Sequence, residues 1–305
     1  MTVSPLSLCR CVQLAAAVGL AGVAGWRLLA QGTDLGQPGA WTRLAFGSWG
    51  ALVAASAGQL GLTAAAMSGL PFAQAISGAV LGQMLNGTSF GAAWRVRMCL
   101  LAGALVWLGS GPAVARHRKP LLTGLNIAGA ALCAALLASL VWTGHAASSG
   151  SRAWLLPIVL VHAVAAGAWP GGLLPLALML ARAGNHPPLI PAAVTITRRF
   201  SRLSVIVVLT LAASGLANAG GLIGWSSAGW SGPYGRLVWC KIILFAAMVA
   251  FGALNRRLLR REAKDYSSRT IHRLWQQVAC ECLLALLVLA TSEALAMTPP
   301  PTSAP

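Results

Sequence analysis

Charged residues are scarce in this chain of 305 residues: 22 are Lys or Arg, and only five are Asp or Glu. Charged residues therefore make up 9% of the chain, against about a quarter in a soluble domain. No polar stretch is long enough to form a separate soluble domain, so no second, soluble domain is expected. In their place, apolar runs of about 20 residues recur along nearly the whole chain, as in proteins that cross a membrane several times.

Recognisable catalytic motifs are also missing. The chain has no GxSxG, no HExxH, no Walker A sequence, and no GxGxxG between a strand and a helix. Seven cysteines occur, mostly within apolar runs, but there is no CxxC pair. We therefore expect no enzyme activity and no ATP-driven pump within this single chain.

The apolar runs predict an all-α, polytopic transmembrane helical bundle forming one domain over residues 1–305, with a disordered tail at 298–305. The connection at 68–92 contains an apolar stretch too short to span, which suggests a surface or re-entrant helix. The first run resembles a signal peptide loosely, but no Ala-x-Ala cleavage site is evident, so a retained span is favoured. Eight spans are expected, at about 9–30, 44–66, 93–114, 121–143, 154–181, 199–220, 235–258 and 272–296.

The formal net charge of +17 invites a nucleic-acid interpretation, but the basic residues lie in short loops between apolar runs. Of the 22 cations, 16 fall in or beside the odd-numbered connections, which the positive-inside rule places in the cytoplasm. This predicts that both termini are periplasmic and that nucleic acid is not a partner.

Two histidines are the strongest candidates for a functional site. His145 follows the fourth span, and His162 lies inside the fifth, where an ionisable ring is costly and usually functional. The short loop between these spans makes them antiparallel neighbours, so both rings could converge on one outward-facing metal site. The alternative is that His162 only hydrogen-bonds a carbonyl or a serine. His117, His186 and His272 fall among loop arginines and are expected to be solvated.

Residues around this pair extend the predicted pocket. Trp169 lies seven residues after His162, on the same helix face, and could close its floor. Gly171 and Gly172 allow helices to approach closely, while the prolines of the fifth span suggest a kink or an unwound turn. At the outer face, Met67, Met84 and Met297 could form an entry site for a soft metal, although packing is the usual role of a single methionine.

Acidic and amide side chains in the spans also need partners. Glu293 is expected near the outer end of the last span, where it could complete or neutralise the metal site. Glu281 lies nearer the middle, with Lys241 as a candidate ion partner. Asn218 and Ser214, four residues apart, are expected to link helices by hydrogen bonds.

An ordered set of short motifs resembles the copper resistance protein D family (CopD, also PcoD) of bacterial inner-membrane proteins, over about residues 140–300. The N-terminal half resembles the family mainly in its span pattern and in Thr88–Gly91. The motifs are Gly144-His145-Ala146, His162 with Trp169-x-Gly171-Gly172, Arg199-Phe-Ser-Arg-Leu203, Ser214-Gly-Leu-Ala-Asn-Ala219, Tyr234-Gly-Arg-Leu237, Lys241, Asn255-Arg256, Glu281 and Thr298-Pro-Pro300.

The resemblance implies a multi-pass inner-membrane protein that moves copper from the periplasm toward the cytoplasm and contributes to copper homeostasis or resistance. It also implies a periplasmic copper-binding partner of the CopC type. Two alternatives stay open from the residues: a haem-binding electron carrier with His145 and His162 as axial ligands, and an assembly factor that delivers copper to an oxidase.

Overall fold

The computed structural model describes residues 4–33, 39–117, 119–142, 152–224, 227–261 and 267–301. His145 lies outside these residues, as does the end of the chain after residue 301. Within them the chain is helical, and no strand occurs. The helices are α1 (Pro5–Leu29), α2 (Gly39–Ser68), α3 (Phe72–Ala75), α4 (Gly78–Gly87), α5 (Ser89–His117), α6 (Lys119–Val141), α7 (Arg152–Ala168), α8 (Pro170–Asn185), α9 (Ile190–Ile223), α10 (Ser227–Ser231), α11 (Pro233–Arg261) and α12 (Ser268–Met297).

Eight segments of the described chain are long and apolar enough to cross a membrane, which confirms the predicted number of spans. Helices suit these runs because a helix satisfies its own backbone hydrogen bonds where no water is available. The segments are Pro5–Leu29, Trp41–Ser68, Ser89–Ser110, Leu121–Val141, Trp154–Asn185, Pro187–Ile223, Pro233–Arg261 and Ser268–Met297. The protein is thus a multi-pass membrane protein by length and composition of its helices.

Helix α1 lies at the centre of the bundle. It packs against α2, α6, α7, α8 and α12. Its buried face includes Leu20, Val23, Ala24 and Trp26, whose side chains have almost no exposed surface. The first apolar run is therefore an integral part of the helical core in this structure.

Glycines allow α1 and α8 to cross at backbone contact. A Cβ atom at Gly22 would collide with the backbone of Gly171, and a Cβ at Gly171 would collide with the carbonyl oxygen of Val18. On the other side of α8, a Cβ at Gly172 would lie 2.5 Å from a ring carbon of Phe200. Small residues thus set the position of α8 between two neighbouring helices.

The fifth span is two helices, as its prolines suggested. Helix α7 ends at Ala168 and α8 begins at Pro170, with Trp169 between them. The Trp169 amide still donates to the carbonyl of Ala165 (3.1 Å), but Pro170 has no N–H to continue the pattern. The break places Trp169 where the two helices meet.

The connection at 68–92 forms two short helices, α3 and α4, which do not span. Their apolar side chains pack on the end of α2 in a small cluster separate from the main core. Met84 belongs to this cluster, together with Leu60, Ala64 and Ala75. The hydrophobic stretch in this connection is therefore used to cover α2.

A cavity with a buried histidine

A cavity of about 610 Å³ opens between the spans in the half of the bundle that holds the N-terminus. It is lined by the first part of α1, α5 and α11, by the last part of α2, α6, α9 and α12, and in the fifth span by the second half of α7 and the start of α8. These are the ends that meet on one side when successive spans alternate in direction. Most of the lining is apolar, and the polar side chains in it are few enough to be considered one by one.

His162 projects from α7 into this cavity. Its Nδ1 lies 2.9 Å from Oγ of Ser214 on α9. The Ser214 hydroxyl donates its hydrogen to the carbonyl of Thr210, so the imidazole Nδ1–H must donate to Ser214. With its proton on Nδ1, the ring has Nε2 as its unprotonated nitrogen.

Trp169 lies deeper along the same wall. Its indole is buried and meets the ring of Phe245 edge to face, with ring centroids 5.9 Å apart. Both side chains line the cavity. Trp169 therefore closes the cavity toward the opposite membrane face, while Gly171 and Gly172 lie behind it in the helix crossing.

Several polar lining residues were not identified from the sequence. Arg97 was counted as a loop cation, but it lies inside α5 with only 1% of its surface exposed. Its Nε–H and one Nη2–H donate to Oγ (3.2 Å) and the carbonyl (2.9 Å) of Ser139, and an Nη1–H donates to Oε1 of Gln59 (3.2 Å). Gln13 on α1 also lines the cavity and donates to Oγ of Ser56 (3.0 Å). The signal available was the presence of Gln and Arg within apolar spans.

Glu293 forms an ion pair instead of meeting a histidine. Its Oε1 lies 2.8 Å from Nε of Arg10, and both residues line the cavity. The carboxylate is buried, whereas Arg10 keeps about a quarter of its side chain exposed. The acid predicted to neutralise a metal is therefore already balanced by a cation from α1.

Glu281 and Lys241 are not the ion pair that the sequence suggested. Glu281 accepts a hydrogen bond from Nδ2 of Asn255 (2.6 Å) and lies in the contact between α11 and α12, outside the cavity lining. Lys241 lies earlier on α11 than Asn255, in the part of the helix that lines the cavity. Asn255 follows Lys241 by 14 residues, or about 21 Å along α11, so Glu281 meets that helix far from Lys241. The axial offset between two helices is not determined by residue spacing within either of them.

Asn218 also differs from its expected role of linking helices. It lines the cavity, and its buried Oδ1 has no hydrogen-bond partner in the described residues. Of the two residues predicted to link helices, only Ser214 forms a hydrogen bond between α7 and α9 in the described chain.

The three methionines do not gather at the cavity. Met84 lies on α4 and packs toward α2 in the small cluster, with 5% of its surface exposed. Met67 and Met297 are exposed, at 60% and 45%, and neither lines the cavity. His145 lies outside the described residues. Within the described chain, no group of three or more His, Cys, Asp and Glu side chains is arranged to hold a metal ion.

Two family models match the sequence. The model described as copper resistance protein D matches residues 194–295. The model described as copper resistance protein D-like, N-terminal domain, matches residues 1–154, which extends the likeness well beyond residues 140–300.

Two curated relatives agree with these matches. Copper resistance protein D of Pseudomonas syringae pv. tomato is 29% identical over 249 residues, covering 75% of this chain and 77% of that protein. Copper transport protein CutJ of Bacillus subtilis (strain 168) is 28% identical over 264 residues, or 86% of this chain, which spans about half (47%) of that protein's length. No solved structure matches the chain. Since the N-terminal model alone covers more than half of the 305 residues, the chain belongs to the copper resistance protein D family.

Proposed function

We propose that this protein is an inner-membrane copper transporter, and that it takes copper from the periplasm toward the cytoplasm as part of copper homeostasis or resistance. Copper is its cargo, and no chemical transformation is involved. The observation that carries the proposal is the imidazole of His162 in the cavity. Two relatives of this chain are named for copper resistance and copper transport, which supports the choice of metal.

The geometry around His162 favours metal capture over simple packing. Imidazole binds either oxidation state of copper through an unprotonated nitrogen. A metal-binding histidine commonly donates its other N–H to a fixed acceptor, which orients the ring. Ser214 supplies that acceptor, so Nε2 is the nitrogen that would meet copper.

The position of the cavity supports the direction. It lies at the end of the bundle that carries the N-terminus, which the distribution of cations predicts to be periplasmic. Copper would enter there, delivered by a periplasmic protein of the CopC type, and stop at His162. Passage further inward would require the Trp169–Phe245 contact to open, and we place that movement at the break between α7 and α8.

Uptake of radioactive copper into proteoliposomes tests the proposal. We expect His162→Ala to lower the initial rate at least about tenfold, because the ligand that orients copper is removed. His186→Ala is the matched control, since His186 is exposed at the far end of α8 and should transport like wild type. Uptake by His162→Ala at the wild-type rate would reject the role of His162.

The same preparation addresses the two alternatives. A haem carrier would show a Soret band that disappears in His162→Ala, and we expect no such band. Within the described residues, His162 is the one histidine that lines the cavity, so a second axial ligand would have to come from elsewhere. An assembly factor would bind copper but would give no uptake into sealed vesicles.

A further inference from the structure

The cavity contains more positive charge than a site for a bare cation would be expected to hold. Arg10, Arg97 and Lys241 all line it, against the single carboxylate of Glu293. Arg10 and Glu293 balance each other. In the part of the chain that the structure describes, Arg97 and Lys241 thus have no acidic partner, because the other described acid, Glu281, bonds to Asn255 outside the cavity.

Arg97 is the more informative of these two cations. Its guanidinium carries five N–H groups, of which three are used by Ser139 and Gln59. All three acceptors are neutral, so the buried charge is hydrogen-bonded but not neutralised. A buried charge without a counter-ion is costly, and ionisable groups at membrane depth usually belong to a site for a ligand or an ion.

The size and the remaining polar groups indicate the kind of ligand. A volume of about 610 Å³ is in the range of cavities that hold small organic molecules and far exceeds that of one ion. Arg97 lines the cavity and keeps two N–H groups beyond those bonded to Ser139 and Gln59, and a carboxylate is a favoured partner for a guanidinium. The unpartnered Oδ1 of Asn218 is a buried acceptor that a hydroxyl or ammonium group would satisfy.

We propose that the cavity binds a small carboxylate anion of the hydroxy-acid class at Arg97, with Lys241 as a second cation of the same lining, and that copper enters as the complex of this anion. The second half of this inference rests on the copper function proposed above. Such anions chelate copper through their carboxylate and hydroxyl groups, and they offset the positive charge that would repel a bare copper ion. His162 would then take one coordination position on the metal.

Equilibrium dialysis of the purified full-length protein against ¹⁴C-citrate, a hydroxy-acid, tests the anion site, with and without equimolar copper. Wild type should retain citrate saturably, and Arg97→Gln should lower the affinity at least about tenfold. Arg97→Lys keeps the charge but loses the fork of donors, so it should fall between the two. Arg95→Gln is the matched control: Arg95 lies on the same helix, is exposed and bonds to Asn86, so this variant should retain citrate normally.

Each result decides the inference. Absence of citrate retention by wild type, or equal retention by Arg97→Gln, overturns it. If Arg97→Gln does not elute as a folded protein, Lys241→Gln decides, and retention unchanged from wild type again overturns it. A separate arm supplies Cu(I) without any carboxylate. If copper binding in this arm depends on His162 but citrate is not retained in the dialysis, only the anion site is rejected. If neither copper nor citrate binds, the proposed function is rejected as well.

Discussion

Ser214 orients the ring that is proposed to bind copper, and it is the simplest single residue to test. It bridges α9 to α7 by accepting from His162 and donating to its own helix. Removal of the hydroxyl frees the imidazole to rotate and to change tautomer, while the imidazole proposed to bind copper is itself retained. The bond is therefore separable from the ligand itself.

We predict that Ser214→Ala lowers the affinity for copper by about tenfold, in line with losses of supporting hydrogen bonds at metal sites. Ser214→Thr keeps the hydroxyl and should restore most of the affinity. Titration of the purified variants with Cu(I) against a competing chelator measures the difference. An Ala variant that binds copper as tightly as wild type would show that Ser214 only packs.

For the ion pair of Arg10 and Glu293, the sequence predicts that the acid needs a partner but not which residue supplies it. An acid in the last span could be predicted to need a partner, because charge at membrane depth is rarely left alone. Its actual partner comes from the other end of the chain, 283 positions away in sequence numbering, through the packing of α1 against α12. Pairings of this kind depend on the rotation and the axial position of each helix, as do those of Arg97 with Ser139 and of Glu281 with Asn255.

At the scale of helices, the crossing of α1 and α8 holds the floor of the cavity in place. The backbones touch at Gly22 and Gly171, directly after the break at Trp169. Because any side chain at either glycine would push the helices apart, the position of Trp169 depends on both glycines.

We predict that Gly22→Ala destabilises the protein by about 2 kcal/mol or more, because the added methyl group meets backbone and cannot be relieved by a change of rotamer. Gly25→Ala, on the same helix, is the control: nothing lies within 4 Å of its Cβ, so better helix propensity should leave stability unchanged or raise it by up to about 1 kcal/mol. Thermal unfolding in detergent would compare them. Equal midpoints for the two variants would contradict the close crossing.

The helices themselves were largely predictable from the sequence. The predicted runs agree with the eight segments because a span needs a minimum length of apolar residues. The prolines of the fifth run predicted a kink or unwound turn in that span, and the structure places the break at Pro170. The two short helices after α2 were less predictable from the sequence, because an apolar stretch of that length can form a re-entrant segment or pack over another helix. Met84 was accordingly suggested as part of an entry site, whereas its side chain packs between α4 and the end of α2.

The two ends of the bundle differ in how their charged residues are placed. The cavity with His162 lies at one end, while at the other end Arg198, Arg202, Arg256 and Arg260 line a second, open pocket. The backbone carbonyls that end α1 are held there by Arg199, which donates to Leu29 and Gln31 at 2.8 and 2.9 Å. The positive-inside rule predicts that the arginine-rich end is cytoplasmic, so we expect the cavity end to face the periplasm.

Fusion reporters test this orientation directly. With both termini periplasmic, alkaline phosphatase joined after the last residue should be active and green fluorescent protein at the same place dark. Fusions truncated after Asn185, at the arginine-rich end, should show the opposite pair of signals. Fluorescence from the C-terminal fusion without phosphatase activity would place the cavity on the cytoplasmic side. Copper captured at His162 would then come from the cytoplasm, and the same architecture would serve export.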